Sequence, residues 1–357
     1  MRKRFLFILM LILLSVIAQA QSPRKVLNWI NTVRADQHDF YNEIPFEYKN
    51  GCIVIQVTIG KESYDYIFDT GGYNDITDEI QAKNHFPVLT TQTVGSSNKL
   101  KTKVDLVKVD SLKIGPLVFR DVTALQMNFK NSPTISCTVN GGLIGASIIK
   151  QYCWQIDLER KTIVVTDQLE RLNVQGAAKL PVTFNARQMP YISAKLNGHV
   201  EKFMFDLGSS SLCILTPKTA AQYMTGTQVI EIDNVASEGG NGVLQQPMKL
   251  FGADSLELGT VCLQKIPVFS LATVNENLIG NPILKHYRIT LDLPHSAIYL
   301  QPITGSPFSP GLESFGFSLR YENGQVVVAT LFKGQDAERA GLRTGDVVSS
   351  VNGQALS

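Results

Sequence analysis

One short phrase occurs twice in this chain. The first copy reads YDYIFDTGG (64–72) and the second reads EKFMFDLGSS (201–210). Each is an apolar run that ends in Phe-Asp, followed by one variable residue and a glycine. The chain therefore places Asp69 and Asp206 at equivalent positions of two similar segments.

The sequence around these two phrases is also repeated. VDSLKIG (109–115) returns as ADSLELG (253–259), and GGLIGASIIKQYCWQIDL (141–158) returns as ENLIGNPILKHYRITLDL (276–293). Because several landmarks keep their order, chance is a poor explanation for the likeness. We expect two copies of one compact unit, each contributing an aspartate to a shared site.

The first twenty residues are typical of a signal peptide. A basic RKR (2–4) precedes an apolar run (5–18), and AQA (18–20) offers the small residues that a signal peptidase needs. A transmembrane anchor is the alternative, but the apolar run is shorter than the roughly 20 residues that span a bilayer. We expect export to the periplasm or the medium, and no membrane span in the mature chain.

Composition excludes several classes of protein. The 357 residues are 44% hydrophobic and 18% charged, as in a globular chain with two or three domains and a proper core. The net charge of +2 includes three positive charges of the predicted signal, so the mature chain has no overall attraction to nucleic acid or membranes.

Cysteine and histidine patterns give no sign of a metal or a cofactor. The five cysteines form no CxxC pair, and we expect most of them to be small buried apolar residues, with one disulfide allowed in an oxidising compartment. There is no HExxH, no GxSxG and no Gly-rich nucleotide loop. The prediction is no metal and no cofactor.

The coarse pattern is mainly β. Short β-branched and aromatic runs are separated by turn signals such as Asn197-Gly198, and short helices are expected at 78–85 and 217–224. The predicted segments are a signal peptide (1–20), a lead-in or short propeptide (21–43), the first copy (44–170), the second copy (180–301), a Pro/Gly/Ser-rich linker (302–312) and a third unit (313–357).

Two neighbouring aspartates have a definite chemistry. Like charges a few ångströms apart do not both ionise readily, so such a pair holds one proton between its members. The ionised member can accept a proton from water while the neutral member donates one to a carbonyl oxygen. Asp69 and Asp206 together would therefore suit amide hydrolysis without a metal.

In these features the sequence resembles the aspartic proteases of the pepsin and retropepsin type. The D-T-G of the first phrase and a later apolar-apolar-Gly element in each copy carry the resemblance. Those elements are Leu143, Ile144 and Gly145 in the first copy and Leu278, Ile279 and Gly280 in the second. The likeness covers about residues 44–301 and implies two β-rich lobes, with a catalytic aspartate from each lobe in the cleft between them.

The loops around the aspartates depart from the pattern of that family at two positions. Residues expected to support the loops are Thr70, Gly71, Gly72, Leu207, Gly208, Ser209 and Ser210. Leu207 stands where the pattern has Thr or Ser, so a hydroxyl bond between the loops would come from Thr70 alone. Gly72 lacks the hydroxyl that Ser209 offers. We hypothesise that Ser209 or Ser210 bonds Asp206 and favours its charged form, which would leave the proton on Asp69.

Two Gly/Ser-rich segments are candidate flaps. They are TVGSSN (93–98), which contains Gly95 and Ser96, and ASEGGNG (236–242), which contains Gly239 and Gly240. Such tips could close over an extended peptide and bond to its backbone. Ordinary hairpin loops are an equal interpretation.

The third unit resembles a PDZ domain. Ser314 is followed by Phe315, Gly316 and Phe317 in the manner of a carboxylate-binding loop, and DAERAGL and GDVVSSVNG follow as a helix and a strand with its turn. The resemblance implies a C-terminal peptide as ligand. The sequence stops before the second helix and last strand of such a domain, so we expect weak peptide binding. A structural β-rich tail is the alternative.

The sequence thus predicts an exported aspartic endopeptidase that acts on peptides or proteins, with a PDZ module. Two alternatives remain open. The aspartates could be ordinary turn residues, since Asp before Gly is common in β-turns. A catalytically inactive relative that binds peptides or serves as a scaffold is the other alternative, because of Leu207 and Gly72.

Overall fold

The computed structural model describes residues 22–303 and 314–355, and they form a mainly β structure. The predicted signal peptide and most of the predicted linker lie outside the described residues. No helix in the described ranges is long and apolar enough to cross a membrane.

The helices are few and short. They are α1 (Pro23–Asn31), α2 (Asp78–Asn84), α3 (Pro133–Thr138), α4 (Ala146–Ile149), α5 (Pro217–Tyr223) and α6 (Asp336–Arg339), with 3-10 turns at Phe129–Asn131, Leu169–Arg171 and Asn281–Lys285. The two predicted helices are present as α2 and α5. Pro217 begins α5, and Thr216 caps it by accepting a bond from the Thr219 amide.

Strands supply the rest of the regular structure. The lead-in and the first copy together have β1 (Arg34–Ala35), β2 (Tyr41–Pro45), β3 (Glu47–Lys49), β4 (Cys52–Ile59), β5 (Glu62–Phe68), β6 (Asp75–Thr77), β7 (Val88–Gly95), β8 (Lys101–Ile114), β9 (Leu117–Met127), β10 (Gly142–Ile144), β11 (Cys153–Asp157) and β12 (Thr162–Thr166). The second copy has β13 (Ala178–Pro181), β14 (Thr183–Phe184), β15 (Pro190–Leu196), β16 (His199–Asp206), β17 (Cys213–Leu215), β18 (Val229–Gly239), β19 (Gly242–Leu258), β20 (Val261–Leu271), β21 (Leu278–Gly280), β22 (Tyr287–Asp292) and β23 (Ala297–Pro302). The third unit has β24 (Phe317–Glu322), β25 (Gln325–Phe332), β26 (Ser350–Val351) and β27 (Gln354–Ala355).

Each copy builds its own sheet around the strand that leads to its aspartate. The first copy forms a nine-stranded sheet with the central order β1-β9-β8-β4-β5-β10. The second forms most of a ten-stranded sheet with the order β14-β15-β16-β21-β17-β20-β19-β18-β25-β24. The predicted Asn197-Gly198 turn joins β15 to β16, and both residues have the positive φ that this two-residue hairpin requires.

A third sheet joins the copies. Its six strands run β13-β23-β22-β11-β12-β2, so three come from each copy and the two meet at the antiparallel pair β11 and β22. One hydrophobic cluster extends through both copies, with Phe68 and Trp154 from the first and Phe203 and Phe205 from the second fully buried. This continuous core fixes one copy against the other.

The lead-in is built into the first copy. Its β1 pairs with β9, and β2 pairs with β12 of the joining sheet. The run IPFEY, expected to begin the β-rich region, is divided between β2 and β3, which belong to different sheets. Residues 22–43 therefore contribute two paired strands and a helix, and their removal as a propeptide stays a prediction.

All five cysteines lie in the described residues and are free. The expectation of small buried residues is confirmed for Cys153 and Cys213, while Cys137 and Cys262 are exposed and Cys52 is half-buried.

Candidate active site

The first aspartate follows the end of a central strand. Strand β5 ends at Phe68 and runs parallel to β10, which belongs to the first apolar-apolar-Gly element. The Asp69 amide donates to the carbonyl of Ile144 at 2.9 Å. The apolar run thus buries the strand, and the aspartate emerges where β5 ends.

The second aspartate occupies the matching place. Asp206 ends β16, which runs parallel to β21 with Asp206 opposite Gly280. The Gly280 amide donates to the carbonyl of Leu212 at 3.0 Å. The repeated phrase and the repeated apolar-apolar-Gly element are therefore adjacent strands in both copies.

The two aspartate loops touch each other. A Cβ atom on Gly208 would lie 2.4 Å from Cγ of Asp69, and one on Gly71 would lie 2.6 Å from Cγ of Asp206. Both positions need glycine because real Cβ atoms do not approach so closely. Each glycine amide also donates to its own aspartate, Gly71 to Asp69 at 2.8 Å and Gly208 to Asp206 at 2.9 Å.

Thr70 makes the bond expected between the loops. Its hydroxyl donates to the carbonyl of Phe205 at 2.6 Å and accepts from the Leu207 amide at 2.9 Å. Leu207 is fully buried in the main hydrophobic cluster and brings no hydroxyl for a reciprocal bond. The connection is therefore one-sided, from the first loop to the second.

The carboxyl pair is electrostatically unequal. Burial, then the charge of Asp69 and a hydrogen bond with it, raise the pKa of Asp206 well above its usual range. Burial also raises the pKa of Asp69, but bonds from the Gly71 amide, from Asp206 and from the Gly72 and Gly208 amides oppose that rise. Both pKa values are raised, as in a pair that holds one proton, and the amide bonds to Asp69 favour the charge on Asp69 and the proton on Asp206. Both side chains lie deep between the copies yet retain some solvent exposure.

The Ser209 hydroxyl does not bond to Asp206 in this structure, and an influence of Ser210 on Asp206 stays a prediction. The Ser209 hydroxyl donates to the carbonyl of Ser211 at 3.4 Å, and the proton is favoured on Asp206 rather than on Asp69. Position 72 requires glycine for a steric reason, because a Cβ there would lie 2.5 Å from Oδ2 of Asp69. Ser210 instead faces the first copy, its Cβ 3.0 Å from where a Cβ on Gly51 would lie.

The glycines of the apolar-apolar-Gly elements allow close backbone crossings. A Cβ on Gly145 would lie 2.5 Å from the carbonyl oxygen of Gly72, and one on Gly280 would lie 2.2 Å from that of Ser211. Any larger residue would push the neighbouring aspartate loop away. These elements therefore support the loops through packing.

The two candidate flaps interlock. Both are hairpin tips, 93–98 between β7 and β8 (the first tip) and 236–242 between β18 and β19 (the second tip). The buried Asn98 amide donates to the carbonyls of Ser237 and Gly242 at 2.8 Å. In the opposite direction, the side-chain amide of Asn241 donates to the carbonyls of Val94 at 3.1 Å and Leu100 at 2.9 Å.

Gly239 and Ser96 meet in this contact, while Gly240 lies against β9 and Gly95 is not crowded. A Cβ on Gly239 would lie 2.9 Å from Cβ of Ser96, and one on Gly240 would lie 3.1 Å from Cε of Met127. At Gly95 the nearest side-chain atom would be 3.9 Å away, so that glycine has room for a side chain.

The Cys52 thiol lies within the electrostatic influence of carboxyl groups from both the second tip and the two aspartate loops. Burial, followed by the charges of Asp69, Glu238 and Asp206, raises the pKa of Cys52 to about 11. Glu238 belongs to the second tip and accepts a bond from the Ile135 amide at 2.9 Å. Three carboxyl groups therefore lie around Cys52, which the sequence did not single out.

Two asparagines were also missed. Asn74 accepts from the Gly145 amide and donates to the Ser147 hydroxyl, both at 2.8 Å. Asn281 donates to the carbonyl of Leu207 at 3.0 Å and accepts from the Tyr48 hydroxyl at 2.7 Å, which links the second loop to the first copy. Their positions beside the repeated motifs were the available signal.

A third carboxyl lies behind the first loop. Asp75 begins β6 and is buried, and its Oδ1 has no hydrogen-bond partner among the described residues. Burial, and then the charge of Asp69, raise the pKa of Asp75 well above its usual range. It was not recognised because nothing in the sequence distinguishes it from the polar residues of a turn.

The third unit forms the predicted helix as α6, but only part of the predicted strand as β26. Gly316 has a φ of +81°, and its carbonyl accepts from the Phe332 amide at 2.8 Å. Phe315 is 87% exposed, while Phe317 begins β24. Strand β25 pairs with β18, so the described part of this unit extends the second-copy sheet.

Comparison with known proteins bears on part of this arrangement. Residues 55–148 match a family model described as aspartyl protease, and that segment contains Asp69 and the first apolar-apolar-Gly element. The match supports a relationship to aspartyl proteases for the segment that forms the first half of the site.

Two individual proteins are also similar. A stretch of 72 residues is 33% identical to the carboxy-terminal processing protease CtpB of Bacillus subtilis (strain 168), covering 19% of this chain and 15% of that protein. The chain thus spans about 15% of that relative's length. The crystal structure of Basic 7S globulin from soybean superposes with a TM-score of 0.44 at 10% identity, over 73% of this chain and 94% of that one.

Proposed function

We propose that this protein is an aspartic endopeptidase in which Asp69 and Asp206 hydrolyse a peptide bond through one water. The observation that carries the proposal is the mutual contact of the two loops, each glycine pressed on the opposite carboxyl. The aspartyl-protease match over residues 55–148 supports the same chemistry for the first loop.

The unequal pair suggests a division of roles. Asp69, which ionises more readily, would accept a proton from the attacking water. Asp206, which holds the proton, would donate it to the carbonyl oxygen of the scissile bond. Asp69 then gives its new proton to the leaving nitrogen while Asp206 takes a proton back from the tetrahedral diol, so the C–N bond breaks without a covalent intermediate and the starting protonation state returns.

Substrate entry would require the tips to separate. With Asn98 and Asn241 bonded across the contact, the tips are held together in this state. After opening, the freed carbonyls and amides of both tips would be available to the backbone of an extended peptide. We therefore propose peptides or unfolded protein segments as the substrate class.

The proposal extends to the setting of the enzyme. The sequence pattern of residues 1–20 supports an exported protein, and residues 314–355 support a PDZ-like unit with a C-terminal peptide as ligand. A family-model match to aspartyl proteases and a short match to a processing protease are consistent with a proteolytic role.

An inactive peptide-binding relative is the second candidate. The one-sided loop connection favours it, because Leu207 supplies no hydroxyl and the pair depends on Thr70 alone. A scaffold of this kind would keep the fold and the tips and would hold peptide without cleaving it.

Hydrolysis of an unstructured protein separates the two candidates. Wild type should cleave it, and Asp69→Asn and Asp206→Asn should each lose at least about 100-fold in kcat/KM. A transition-state-mimicking inhibitor of aspartic proteases should block the wild type. Cleavage that survives both substitutions would refute the dyad, and peptide binding without cleavage by any of the three proteins would favour the scaffold.

A further inference from the structure

Three metal-ligating side chains meet in the sheet that joins the copies. Cys153, Asp292 and His295 each offer an atom within 4.8 Å of the other two. Oδ1 of Asp292 lies 3.2 Å from Sγ of Cys153 and 2.7 Å from Nδ1 of His295. The cluster belongs to β11, β22 and the turn after β22, outside the aspartate loops.

At the position that the repeat makes equivalent to this cluster, the joining sheet contains an aspartate paired with an arginine. Strands β11 and β22 are antiparallel with Cys153 opposite Asp292, and the same register continued by one residue puts Asp157 opposite Arg288. The Arg288 guanidinium binds Oδ2 of Asp157 through Nη2 at 2.8 Å and Nε at 2.9 Å. Asp157, the first of the two equivalent aspartates, is therefore paired with a cation.

Asp292, the second of the two equivalent aspartates, contacts the Cys153 thiol where Asp157 contacts a guanidinium. Asp292 is the more deeply buried of the two, with 2% of its side chain exposed against 11% for Asp157. A buried carboxylate is costly unless a positive charge or sufficient hydrogen bonds compensate it. The equivalent of Arg160 is His295, which places an imidazole at the mouth of the cluster.

We propose that Cys153, Asp292 and His295 form a binding site for a divalent transition metal, with Zn²⁺ the best match to the ligand set. Thiolate, carboxylate and imidazole are all established zinc donors, at about 2.3, 2.1 and 2.0 Å respectively. Three protein ligands leave a fourth tetrahedral position for solvent. The metal would replace the positive charge that Arg288 supplies in the other copy.

The geometry can accommodate such an ion with a small adjustment. Two ligands of one tetrahedral zinc lie roughly 3.3–3.8 Å apart, given the bond lengths of each donor. The present separations of 3.2 and 2.7 Å from Asp292 would have to widen by up to about 0.5 Å in the first case and about 1 Å in the second. His295 can move because 66% of its side chain is exposed, and that exposure also provides a route of entry.

Binding requires one proton to leave. The Cys153 thiol donates a hydrogen bond to Oδ1 of Asp292 at 3.2 Å, so the metal-free site holds S–H. The metal displaces that proton to solvent, the S–H bond breaks and a metal–sulfur bond forms with no change of oxidation state. Metal affinity should therefore increase with pH.

The first test is metal titration of the whole protein after treatment with a chelator. Calorimetry with Zn²⁺ should give one equivalent per chain. Co²⁺ should give a thiolate-to-metal charge-transfer band, together with d–d bands of the intensity typical of tetrahedral coordination. Cys153→Ala and His295→Ala should each weaken binding by more than about 100-fold, since even outer-sphere changes at metal sites cost 10–100-fold. Cys262→Ala and His199→Ala, both at exposed positions, are the matched controls and should bind normally.

A second variant uses the repeat. Cys153→Arg installs the side chain that Asp157 already binds, so it should abolish metal binding while the protein stays folded. If this variant does not fold, the exposed His295→Ala decides the question. Absence of a stoichiometric Zn²⁺ site, a Co²⁺ complex without the thiolate band, or equal affinity in Cys153→Ala would overturn the proposal and leave His295 as a hydrogen-bond partner of Asp292.

Discussion

At the scale of single residues, the site depends on one hydroxyl. Thr70 both donates to the carbonyl of Phe205 and accepts from the Leu207 amide, and Leu207, at the matching position of the second loop, has no hydroxyl to form a reciprocal bond. Where two such residues would share the task, the loss of one would be tolerated. Here the relative position of the two carboxyls should be unusually sensitive to this side chain.

Replacement of Thr70 by valine tests this dependence. The change keeps the shape but leaves the buried carbonyl of Phe205 and the amide of Leu207 without their partner, which should cost about 1–3 kcal/mol in the free energy of unfolding. Urea denaturation measures that loss, and proteolytic activity should fall with it. Thr70→Ser is the control because it keeps the hydroxyl, and equal stability of the two variants would contradict the assigned role.

Asp75 provides a prediction about pH. Its pKa is raised in the folded state, so the native protein binds more protons than the unfolded chain between the unfolded pKa of about 3.9 and the folded value. Stability is therefore lost as the pH rises through that range. Asp75→Asn removes the titration, so its stability relative to wild type should improve with increasing pH.

Denaturant unfolding of both proteins from pH 3.5 upward measures this difference. The two curves should run parallel below about pH 4 and diverge in favour of Asp75→Asn above it. Asp254→Asn, at an exposed position, is the control and should show no such divergence. Curves that stay parallel throughout would show that Asp75 is not held in its neutral form.

The catalytic candidates were accessible from the sequence because the repeat doubled each signal. Asp69, Asp206 and the glycines beside them stand at fixed places in a recurring phrase. The state of the proton was not accessible. It depends on how many backbone amides point at each carboxyl, and only the folded loops determine that.

At the scale of elements, the two hairpin tips act as one unit. Asn98 donates across the contact to the second tip, and Asn241 donates back to the first. A structure with four cross-tip bonds opens only when several of them break together. Opening should therefore involve both hairpins at once.

Hydrogen exchange of Asn98→Ala examines this coupling. The substitution removes the two cross-tip bonds of a buried side chain, together with the two bonds that it accepts from Ser96 and Leu100, so exchange should accelerate in the second tip as well as in the first. Asn234→Ala is the control, since Asn234 lies in β18 of the hairpin that carries the second tip but donates to the carbonyl of Ala329 at 2.9 Å and not across the tips. An effect of Asn98→Ala confined to residues 93–98 would show that the tips move independently.

Helices α2 and α5 were predicted after the two aspartate phrases, and α5 had a local signal in Pro217, which suits a first helical turn. The short α3 and α4 were not predicted, and α4 is defined by packing rather than by a periodic pattern. Every residue of α4 is buried. In such a segment, burial on all sides removes the polar face that a pattern would need.

At the scale of the whole molecule, the joining sheet makes one cooperative structure of two copies. Strands β11 and β22 meet at its centre, and a single hydrophobic cluster runs through both halves. The ion pair between Arg288 and Asp157 lies at that seam. We therefore expect the two copies to unfold together.

Calorimetry of Arg288→Met tests both the contribution of this ion pair to stability and the joint unfolding of the two copies. Removal of the guanidinium leaves Asp157 without its cation, which should cost about 1–3 kcal/mol, less than the 3–5 kcal/mol of a fully buried pair because Arg288 is about one-third exposed. The melting temperature should drop while the transition stays single, with equal calorimetric and van't Hoff enthalpies. Two separate transitions would show that the copies are independent.

The sequence alone determined the architecture in outline and the identity of the paired aspartates. It could do so because a repeated run of apolar residues, Asp and Gly is a local signal, and a doubled local signal survives in any single sequence. Tertiary structure decided how the copies are joined, which carboxyl keeps the proton, that the tips interlock, and that Cys153, Asp292 and His295 come together. These features depend on contacts between residues more than a hundred positions apart, where spacing along the chain carries no information about distance.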